Sequence, residues 1–499
     1  MSSHKSLVGD NSSVKKATTD YHEDQRHQHY PESYSSHFHW LCWSVLALMS
    51  GLFIQASAGL ITVSFVGHLG TNELAGMSLA QMIERCSIMC LSFAMASALD
   101  TLCGQFWTGA QDKKAIGLQL QRACCIFMVI AVPIYMAWFV SLALLRHGGF
   151  VDIQAARYAR TYLLFCIPES LLFGGSRMIC AYLQAQGIMR VGLYAAALAG
   201  LPLTIAANYI LVSGGKEGAY FPMNLGIQGA GMAETISAAG IFIFMIIYSR
   251  WVAGSQGWGG WTRKCLYGWA PIIRLLVPST FILLLQLAVP QLCTLAASHF
   301  TTGGDDGTSS SALLAAHFVL VSTNVAFLSF SASLKHVMTT RIGNLMGMGS
   351  LKDTKRAMWV GCCLAMTGGL TCATILMACR HRYPYFYTTD KNTVQIIVQT
   401  IPVVCCGQLV TPWSFLATGA AYGVGRQRVV ALVTLVSYFL VGAPLCYYFA
   451  FILGWSVFGL WIGLVAAEVA VAVILLFYLQ QVVDWTAEAH RTMMRITKE

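Results

Sequence analysis

Residues 429–453 read VVALVTLVSYFLVGAPLCYYFAFIL, a largely apolar run without Lys, Arg, Asp or Glu. Residues 40–66 and 191–213 form two further uncharged blocks of more than twenty residues each. About twenty apolar residues in an α-helix cross the roughly 30 Å hydrocarbon core of a bilayer, because each residue adds about 1.5 Å. Membrane strands need about ten residues of alternating polarity, and these blocks do not alternate. The blocks therefore predict membrane-spanning helices.

The composition of the whole chain indicates the same class. The 499 residues are 56% hydrophobic and 10% charged, with a mean hydropathy of +0.62. A soluble domain carries roughly 25% charged residues, because its surface faces water. Since so few charges cannot cover a water-exposed surface, the sequence predicts an all-α polytopic membrane protein that is embedded in a lipid bilayer.

Twelve stretches are predicted to span the membrane as two pseudo-symmetric six-helix bundles. The fourth is the least apolar, because it contains Arg157, Arg160, Glu169 and Arg177. The approximate bounds of the twelve are 41–66, 74–99, 117–145, 156–181, 191–213, 228–249, 270–298, 312–338, 357–379, 393–421, 429–452 and 456–482.

This pattern divides the chain into five parts. Residues 1–38 are predicted to be a disordered, His-rich cytosolic tail, and residues 39–250 an N-lobe of helices 1 to 6. Residues 251–269 would link this lobe in the cytosol to a C-lobe of helices 7 to 12, residues 270–482. Residues 483–499 are predicted to be a cytosolic C-terminal tail. The tail histidines could bind metal, but their irregular spacing favours a plain polar tail, and no metal site or cofactor is predicted.

The basic residues of the short loops favour one orientation. With the N-terminus inside, the outer loops keep few of them: Arg146, Lys216, Arg380, Arg382 and Lys391. Cytoplasmic loops are enriched in Lys and Arg, so both termini are expected in the cytosol, at the plasma membrane or an organellar membrane such as the vacuole. The same enrichment explains the net charge of +10, and no nucleic-acid partner is expected.

An internal repeat relates the two halves. Residues 100–105 (DTLCGQ) end the second helix and are followed by the basic pair at 113–114. Residues 340–344 (TRIGN) follow the eighth helix and precede the basic pair at 355–356. Two six-helix halves in one orientation are a common transporter plan, with the substrate held between them.

Six strings of residues occur in order along the chain: 66–70 (VGHLG), 98–105 (ALDTLCGQ), 182–187 (YLQAQG), 207–209 (ANY), 277–279 (VPS) and 341–344 (RIGN). Together they resemble the signatures of the multidrug and toxic compound extrusion family, particularly its plant and animal branch. The resemblance extends from about residue 40 to residue 480. It implies a monomer with two lobes around a V-shaped cleft, which exports small organic, usually cationic or amphipathic compounds against an inward flow of protons or sodium.

The signatures also contribute residues with an expected structural or gating role. Asp100, at the inner end of helix 2, is expected to cap nearby backbone amides or to contact a basic residue on another loop. The complete set of these signature residues is Asp100, Gly67, His68, Gly104, Arg341 and Gly343.

A few acidic residues lie within the spans, where a charge costs from a few to about ten kcal/mol. Glu234 on helix 6 is the leading candidate for ion coupling, because neighbouring glycines let another helix approach closely. By the resemblance it shares the N-lobe cavity with Thr204 and Asn208, and Gln55 could complete that pocket. Glu468 on helix 12 is the C-lobe candidate. Each acid could instead be protonated and hydrogen-bonded to another helix for packing.

Other charged residues in the spans are expected to have structural partners. Glu169 and Arg177 lie about two turns apart on helix 4, and we expect them to bridge through a partner on another helix. Glu84 and Arg85 are neighbours in sequence and do not face each other on a helix, so each needs its own partner.

The chain departs from the family pattern at two acids. The plant and animal branch usually carries a glutamate in helix 7, where this sequence has Gln286, and a second in helix 10, which falls at about Thr411. An amide or hydroxyl cannot exchange a proton at useful pH. Either proton coupling has moved to Glu234 or Glu468, or the substrate is not the usual cation, or transport is not proton-driven.

Substrate recognition is expected to depend on polar, aromatic and Met side chains. Aromatic faces attract organic cations, and Met repacks around varied ligands. The main candidates for the substrate path are Gln286, Thr411, Trp413 and Phe53. Further candidates are Phe415, Tyr422, Met178 and Met338.

Two alternative functions remain open from the sequence. A flippase for an anionic substrate would need several bases deep within the spans, where only Arg85, Arg177 and Lys335 come near. A membrane-embedded transferase would need clustered His, Asp or Glu at a membrane edge. The nearest cluster matches the transporter signature better, so no enzyme activity is predicted.

Overall fold

The computed structural model describes residues 33–140, 153–212, 225–298, 310–387 and 390–497. Within these ranges the chain is helical apart from short turns and linkers, and no strand is found. The predicted all-α class is confirmed.

The N-lobe contains six helical spans. Helix α4 is bent by 51° between its two parts, and Pro168 in the first turn of the second part cannot donate a backbone hydrogen bond, which explains the break. The N-lobe helices are α1 (Tyr34–Gly67), α2 (Thr71–Glu84 and Cys90–Gly109, joined by the π-helical turn Arg85–Met89), α3 (Ala115–Phe139), α4 (Ile153–Phe165 and Ile167–Ala185), α5 (Val191–Leu211) and α6 (Gly226–Val252).

The C-lobe repeats this plan and is followed by a short helix. Its elements are α7 (Ala270–Ser298), α8 (Ser310–Gly347), α9 (Leu351–Cys379), α10 (Lys391–Val424), α11 (Gln427–Ile452), α12 (Ser456–Val482) and α13 (Trp485–Thr497). In the described chain, ten helices are long and apolar enough to cross a membrane, and bent α4 counts as an eleventh. Helix α7 contributes a shorter apolar stretch, Ala270–Gln286.

The first helix of each half packs partly into the opposite lobe. Leu41 and Val45 of α1 belong to the hydrophobic core of the C-lobe. Ile272 and Leu275 of α7 belong to the core of the N-lobe. Helix α1 contacts α8, and α7 contacts α2, so the exchange is reciprocal. Such reciprocity is expected of two repeats related by a pseudo-two-fold axis.

The start of α1 corrects the predicted bounds of the N-terminal tail. The helix begins at Tyr34, with Ser33 as its N-cap, so residues 34–38 are helical and do not belong to a disordered tail. His37 is fully buried, and its Nδ1 lies 3.1 Å from Nη2 of Arg341. This partner is distant in sequence, so the local composition could not indicate the helix start. The earlier histidines of the tail lie outside the described residues.

The segment predicted as the C-terminal tail contains the amphipathic helix α13. Ala489 packs into the C-lobe core, and Ile496 packs into the N-lobe core. Glu488 forms an ion pair with Arg426 in the turn between α10 and α11. Helix α13 therefore contacts both lobes.

Candidate functional site

The two lobes are joined at one end of the bundle, which we call the basic end because it carries both basic pairs, at 113–114 and 355–356. The interlobe contact of α2 with α8 and α10 at this end is called the seam. Three side chains of α2 donate hydrogen bonds across it to backbone carbonyls: Thr101 to Tyr422 (2.9 Å), Gln105 to Gly423 (2.9 Å) and Thr108 to Asn344 (2.7 Å). The seam closes the space between the lobes at the basic end.

Glycines allow the helices to approach closely at the seam. The two repeated strings meet here, since a Cβ added to Gly343 would lie 3.6 Å from the Cα of Gly104. A Cβ added to Gly347 would collide with the Gln105 carbonyl and the Thr108 hydroxyl of the other lobe. Both strings lie within the last turns of α2 and α8, which extend to Gly109 and Gly347. Gly67 and His68 are exposed at the far end of α1 and do not belong to the seam.

Asp100 contacts the opposite lobe through a histidine. Its Oδ2 lies 3.0 Å from Nδ1 of His336 on α8, and the Asp100 side chain is buried. This partner lies within a helix. It is neither a backbone amide nor a basic residue on a loop, which are the two kinds of partner that the sequence suggested. Arg341, also buried, stacks on Trp40 of α1 with 5.0 Å between the guanidinium carbon and the ring centroid. Both contacts tie α8 to the N-lobe.

A chain of polar side chains crosses the N-lobe near the end opposite to the seam. The Asn208 amide donates to the Thr62 hydroxyl (3.1 Å), and the Glu234 carboxyl group lies close to the same hydroxyl. One turn away, Thr204 and Ser237 share a hydrogen bond of 2.8 Å. The predicted residues Glu234, Asn208 and Thr204 are thus brought together.

Sequence reasoning missed Thr62 and Ser237, which connect this network. Threonine and serine are common in membrane helices, so neither residue type signals a site by itself. For Gln55, two turns from Thr62 on α1, no hydrogen bond to this network is found among the described residues. The Asn208 Oδ1 is buried and has no hydrogen-bond partner in that part of the chain. This amide oxygen is therefore a hydrogen-bond acceptor that the described network does not use.

Two more acids of the N-lobe face each other. The carboxyl groups of Glu84 and Glu169 lie close enough to act on each other electrostatically, and Glu234 is near enough to act on both. Two carboxylates close together repel each other when both are ionised. Among the described residues, no partner on another helix is found to bridge Glu169 and Arg177. The Arg177 guanidinium carbon lies 5.0 Å from the centroid of the Phe93 ring instead.

The C-lobe contains a small polar pocket around Glu468. The carboxyl group accepts hydrogen bonds from Ser414 of α10 (2.6 Å) and Tyr438 of α11 (2.5 Å). Gln286 of α7 and Lys335 of α8 line the same pocket, so five helices contribute to it. Its free volume is only about 10 Å³, which is about the room that one water molecule needs.

The pocket differs from the predicted substrate path. Gln286 lines the pocket, but Thr411 and Trp413 do not. The Thr411 hydroxyl donates a hydrogen bond to the Gly407 carbonyl of its own helix. Trp413 packs on the C-lobe core. Phe53 is 59% exposed on α1. Sequence reasoning missed Ser414 and Tyr438 because they lie on other helices than Glu468.

The chain is a helical membrane bundle of two lobes joined at a seam of repeated strings, and each lobe places a half-buried acid among polar side chains of neighbouring helices. This is the architecture of a secondary transporter. The family profile MatE matches residues 47–210 and 278–448, which is more than half of the chain. The chain therefore belongs to the MATE family of transporters. It is a multi-pass integral membrane protein and not an enzyme.

Curated relatives agree with this assignment. An uncharacterized transporter of Schizosaccharomyces pombe is 32% identical over 422 residues, which cover 84% of this chain and 74% of the relative. Protein DETOXIFICATION 51 of Arabidopsis thaliana is 29% identical over 86% of this chain and 78% of its own length. Multidrug and toxin extrusion protein 1 of Mus musculus is 26% identical over 84% and 72%.

Solved structures share the fold. The eukaryotic MATE transporter AtDTX14 superposes with a TM-score of 0.81 at 21% identity, covering 93% of this chain and 99% of that chain. A multidrug resistance MATE family transporter of the MOP superfamily, solved in an outward-facing conformation, gives a TM-score of 0.76 at 14% identity, covering 93% and 97%. These likenesses establish two six-helix halves.

Proposed function

We propose that this protein is a secondary antiporter that exports organic cations in exchange for protons by alternating access. The observation that carries the proposal is that each lobe places one acid among polar side chains of other helices, Glu234 close to Thr62 and Glu468 with Ser414 and Tyr438. Acids within membrane spans are typical of proton and ion pathways. The names of two curated relatives, which refer to detoxification and to multidrug and toxin extrusion, support the substrate class.

The orientation follows from the basic end. Short cytoplasmic loops are enriched in Lys and Arg, so the seam is proposed to close the cytosolic side, at the plasma membrane or an organellar membrane. The described state then has the substrate path closed toward the cytosol. Export requires this seam to open, because the substrate enters from the cytosol.

Proton uptake would rearrange both pockets through their hydrogen bonds. An ionised carboxylate only accepts hydrogen bonds, whereas a protonated one also donates. A proton on Glu234 changes its contact with the Thr62 hydroxyl, and through Thr62 the hydrogen bond from Asn208. A proton on Glu468 requires Ser414 or Tyr438 to turn its hydroxyl away or to accept. Either change alters contacts between helices of one lobe.

The C-lobe pocket also accounts for the departure from the family pattern. The resemblance places a glutamate at the position of Gln286 on α7. Gln286 and Glu468 line one pocket, so α12 supplies a carboxyl group where the family pattern expects one from α7. This arrangement favours the interpretation in which the acid has moved and the coupling role is kept.

Uptake into proteoliposomes tests the proposal. We expect the purified protein to exchange ethidium, an organic monocation, for protons, so that a pH gradient drives accumulation and its collapse stops it. A sodium gradient applied at constant pH serves as the second arm. If neither the pH gradient nor the sodium gradient changes ethidium movement, ion-coupled export is wrong. If only the sodium gradient drives ethidium movement, the proposal that the proton is the coupling ion is wrong.

Gln286→Glu is expected to change the pH dependence of transport and to increase the preference for cations. The reason is that a second carboxyl group would share the pocket with Glu468. Transport rates measured between pH 5.5 and 8.5 would show the change. Gln286→Met, which has a similar size and no charge, is the control and should leave the shape of the pH profile intact. Unchanged transport in Gln286→Glu would mean that this face of α7 is not on the path.

A further inference from the structure

Lys335 places a positive charge inside the C-lobe pocket. Its ammonium nitrogen lies 5.8 Å from the centroid of the Phe415 ring and 5.6 Å from that of Tyr422. A cation within about 6 Å of a ring centroid is attracted by the aromatic face. In the described chain, no hydrogen bond or ion pair is found for this ammonium. The two rings are its observed partners.

The same rings and Glu468 form the kind of surface that binds an organic cation. Phe415 and Glu468 line the pocket together with Lys335. Aromatic faces beside a carboxylate are the usual means by which proteins hold such cations. Since the free volume is only about 10 Å³, the pocket has no room for a substrate until some side chain leaves it.

We propose that Lys335 is a tethered cation that occupies the cation-binding face of the C-lobe pocket, and that a cationic substrate binds there by replacing it. This inference rests on the proposed function, because it takes an organic cation as the substrate. Lys335 thereby makes the pocket selective for cations. A neutral substrate that displaced the Lys335 ammonium group would lose the attraction between this cation and the aromatic rings without replacing it.

Lys335 is the side chain that can leave. Its charge sits on a flexible four-carbon stem. Glu468 is held by two hydroxyl donors. Tyr422 is buried, and its backbone carbonyl accepts the hydrogen bond from Thr101 across the seam. In the described chain, moving the Lys335 side chain breaks no observed hydrogen bond, whereas moving the Glu468 carboxyl group breaks two.

The displaced ammonium would act on the seam. The charged groups that influence Lys335 from the N-lobe are Asp100 and Arg177. Asp100 bonds to His336, the residue after Lys335, and its Oδ1 is buried without a hydrogen-bond partner in the described chain. When the Lys335 side chain leaves the pocket, its ammonium group would be attracted to this Asp100 oxygen. It would then compete with His336 for the Asp100 carboxylate. Substrate binding in the C-lobe is thereby coupled to the interlobe contact.

Ethidium binding to the purified protein in detergent tests the inference. Lys335→Met keeps the length and apolar stem of the side chain and removes the charge. We expect this variant to bind ethidium about tenfold more tightly than the wild type, equivalent to about 1.4 kcal/mol, as measured by fluorescence titration. Lys335→Arg, which keeps the charge, should retain wild-type affinity. Lys352→Met, at an exposed lysine of α9, is the matched control and should bind as the wild type does.

Three outcomes would overturn the inference. They are unchanged ethidium affinity in Lys335→Met, weaker affinity in that variant, and no ethidium binding by either the variant or the wild type. Lys335→Gln is measured in parallel, so that a folding defect of one variant, detected by size-exclusion chromatography, does not decide the result. Binding in detergent needs no ion gradient. Tighter binding in Lys335→Met without proton-driven transport in the wild type would therefore contradict the proposed exchange and leave this inference standing.

Discussion

Replacing Glu234 by Gln is expected to abolish proton-driven export, to the background of protein-free liposomes, while leaving the protein folded. The amide has the size of the carboxyl group and can keep the contact with the Thr62 hydroxyl, so the hydrogen bond from Asn208 to Thr62 is retained. It cannot bind and release a proton at useful pH. Ethidium uptake driven by a pH gradient measures the effect, and thermal unfolding measures the fold.

The control for this prediction is an acid outside the bundle. Asp112 is exposed in the turn between α2 and α3, and Asp112→Asn makes the same change of acid to amide. We expect wild-type transport in Asp112→Asn. Wild-type exchange rates in Glu234→Gln would reject the coupling role of this residue and favour a carboxyl group that serves packing.

Gly347→Ala is expected to reduce transport strongly by opposing closure of the seam. The added Cβ would collide with the Gln105 carbonyl of the other lobe. Overpacking of this kind costs about 1 to 3 kcal/mol, which would shift the equilibrium away from the closed seam by about 5- to 150-fold. The fold should persist, because alanine is a better helix former than glycine.

Hydrogen exchange at the end of α2, residues 98–109, measures the state of the seam, and proteoliposome uptake measures its consequence. We expect faster exchange in this segment for Gly347→Ala. Gly343→Ala is the graded control, since its Cβ would meet its nearest atoms at 3.6 Å, an ordinary contact, and its effect should be much smaller. Equal exchange and uptake in Gly347→Ala and the wild type would show that the seam does not open during transport.

The two lobes differ in the charged groups that they hold among their helices. Glu84, Glu169 and Glu234 influence one another, and they lie on three different helices. The described C-lobe pocket contains one acid and one base, Glu468 and Lys335. The two lobes therefore differ in internal charge although they share one helical plan. A proton and a cationic substrate would meet different electrostatic conditions in each.

The sequence alone determined the architecture. Length, hydropathy and charge predicted the helical spans, because crossing a bilayer is a local requirement that each stretch of about twenty residues meets by itself. The repeated strings predicted two related halves, and the structure places Gly104 and Gly343 of these strings against each other. The resemblance also grouped Glu234 with Asn208 and Thr204, which the structure brings together.

Only the tertiary structure decided the partners of the charged residues. Ser414 and Tyr438 for Glu468, and His336 for Asp100, come from other helices. A helix that is apolar on all sides has no polar stripe to indicate which face turns inward. The rotation of each helix is set by packing against its neighbours, and a sequence pattern confined to one helix does not contain that information.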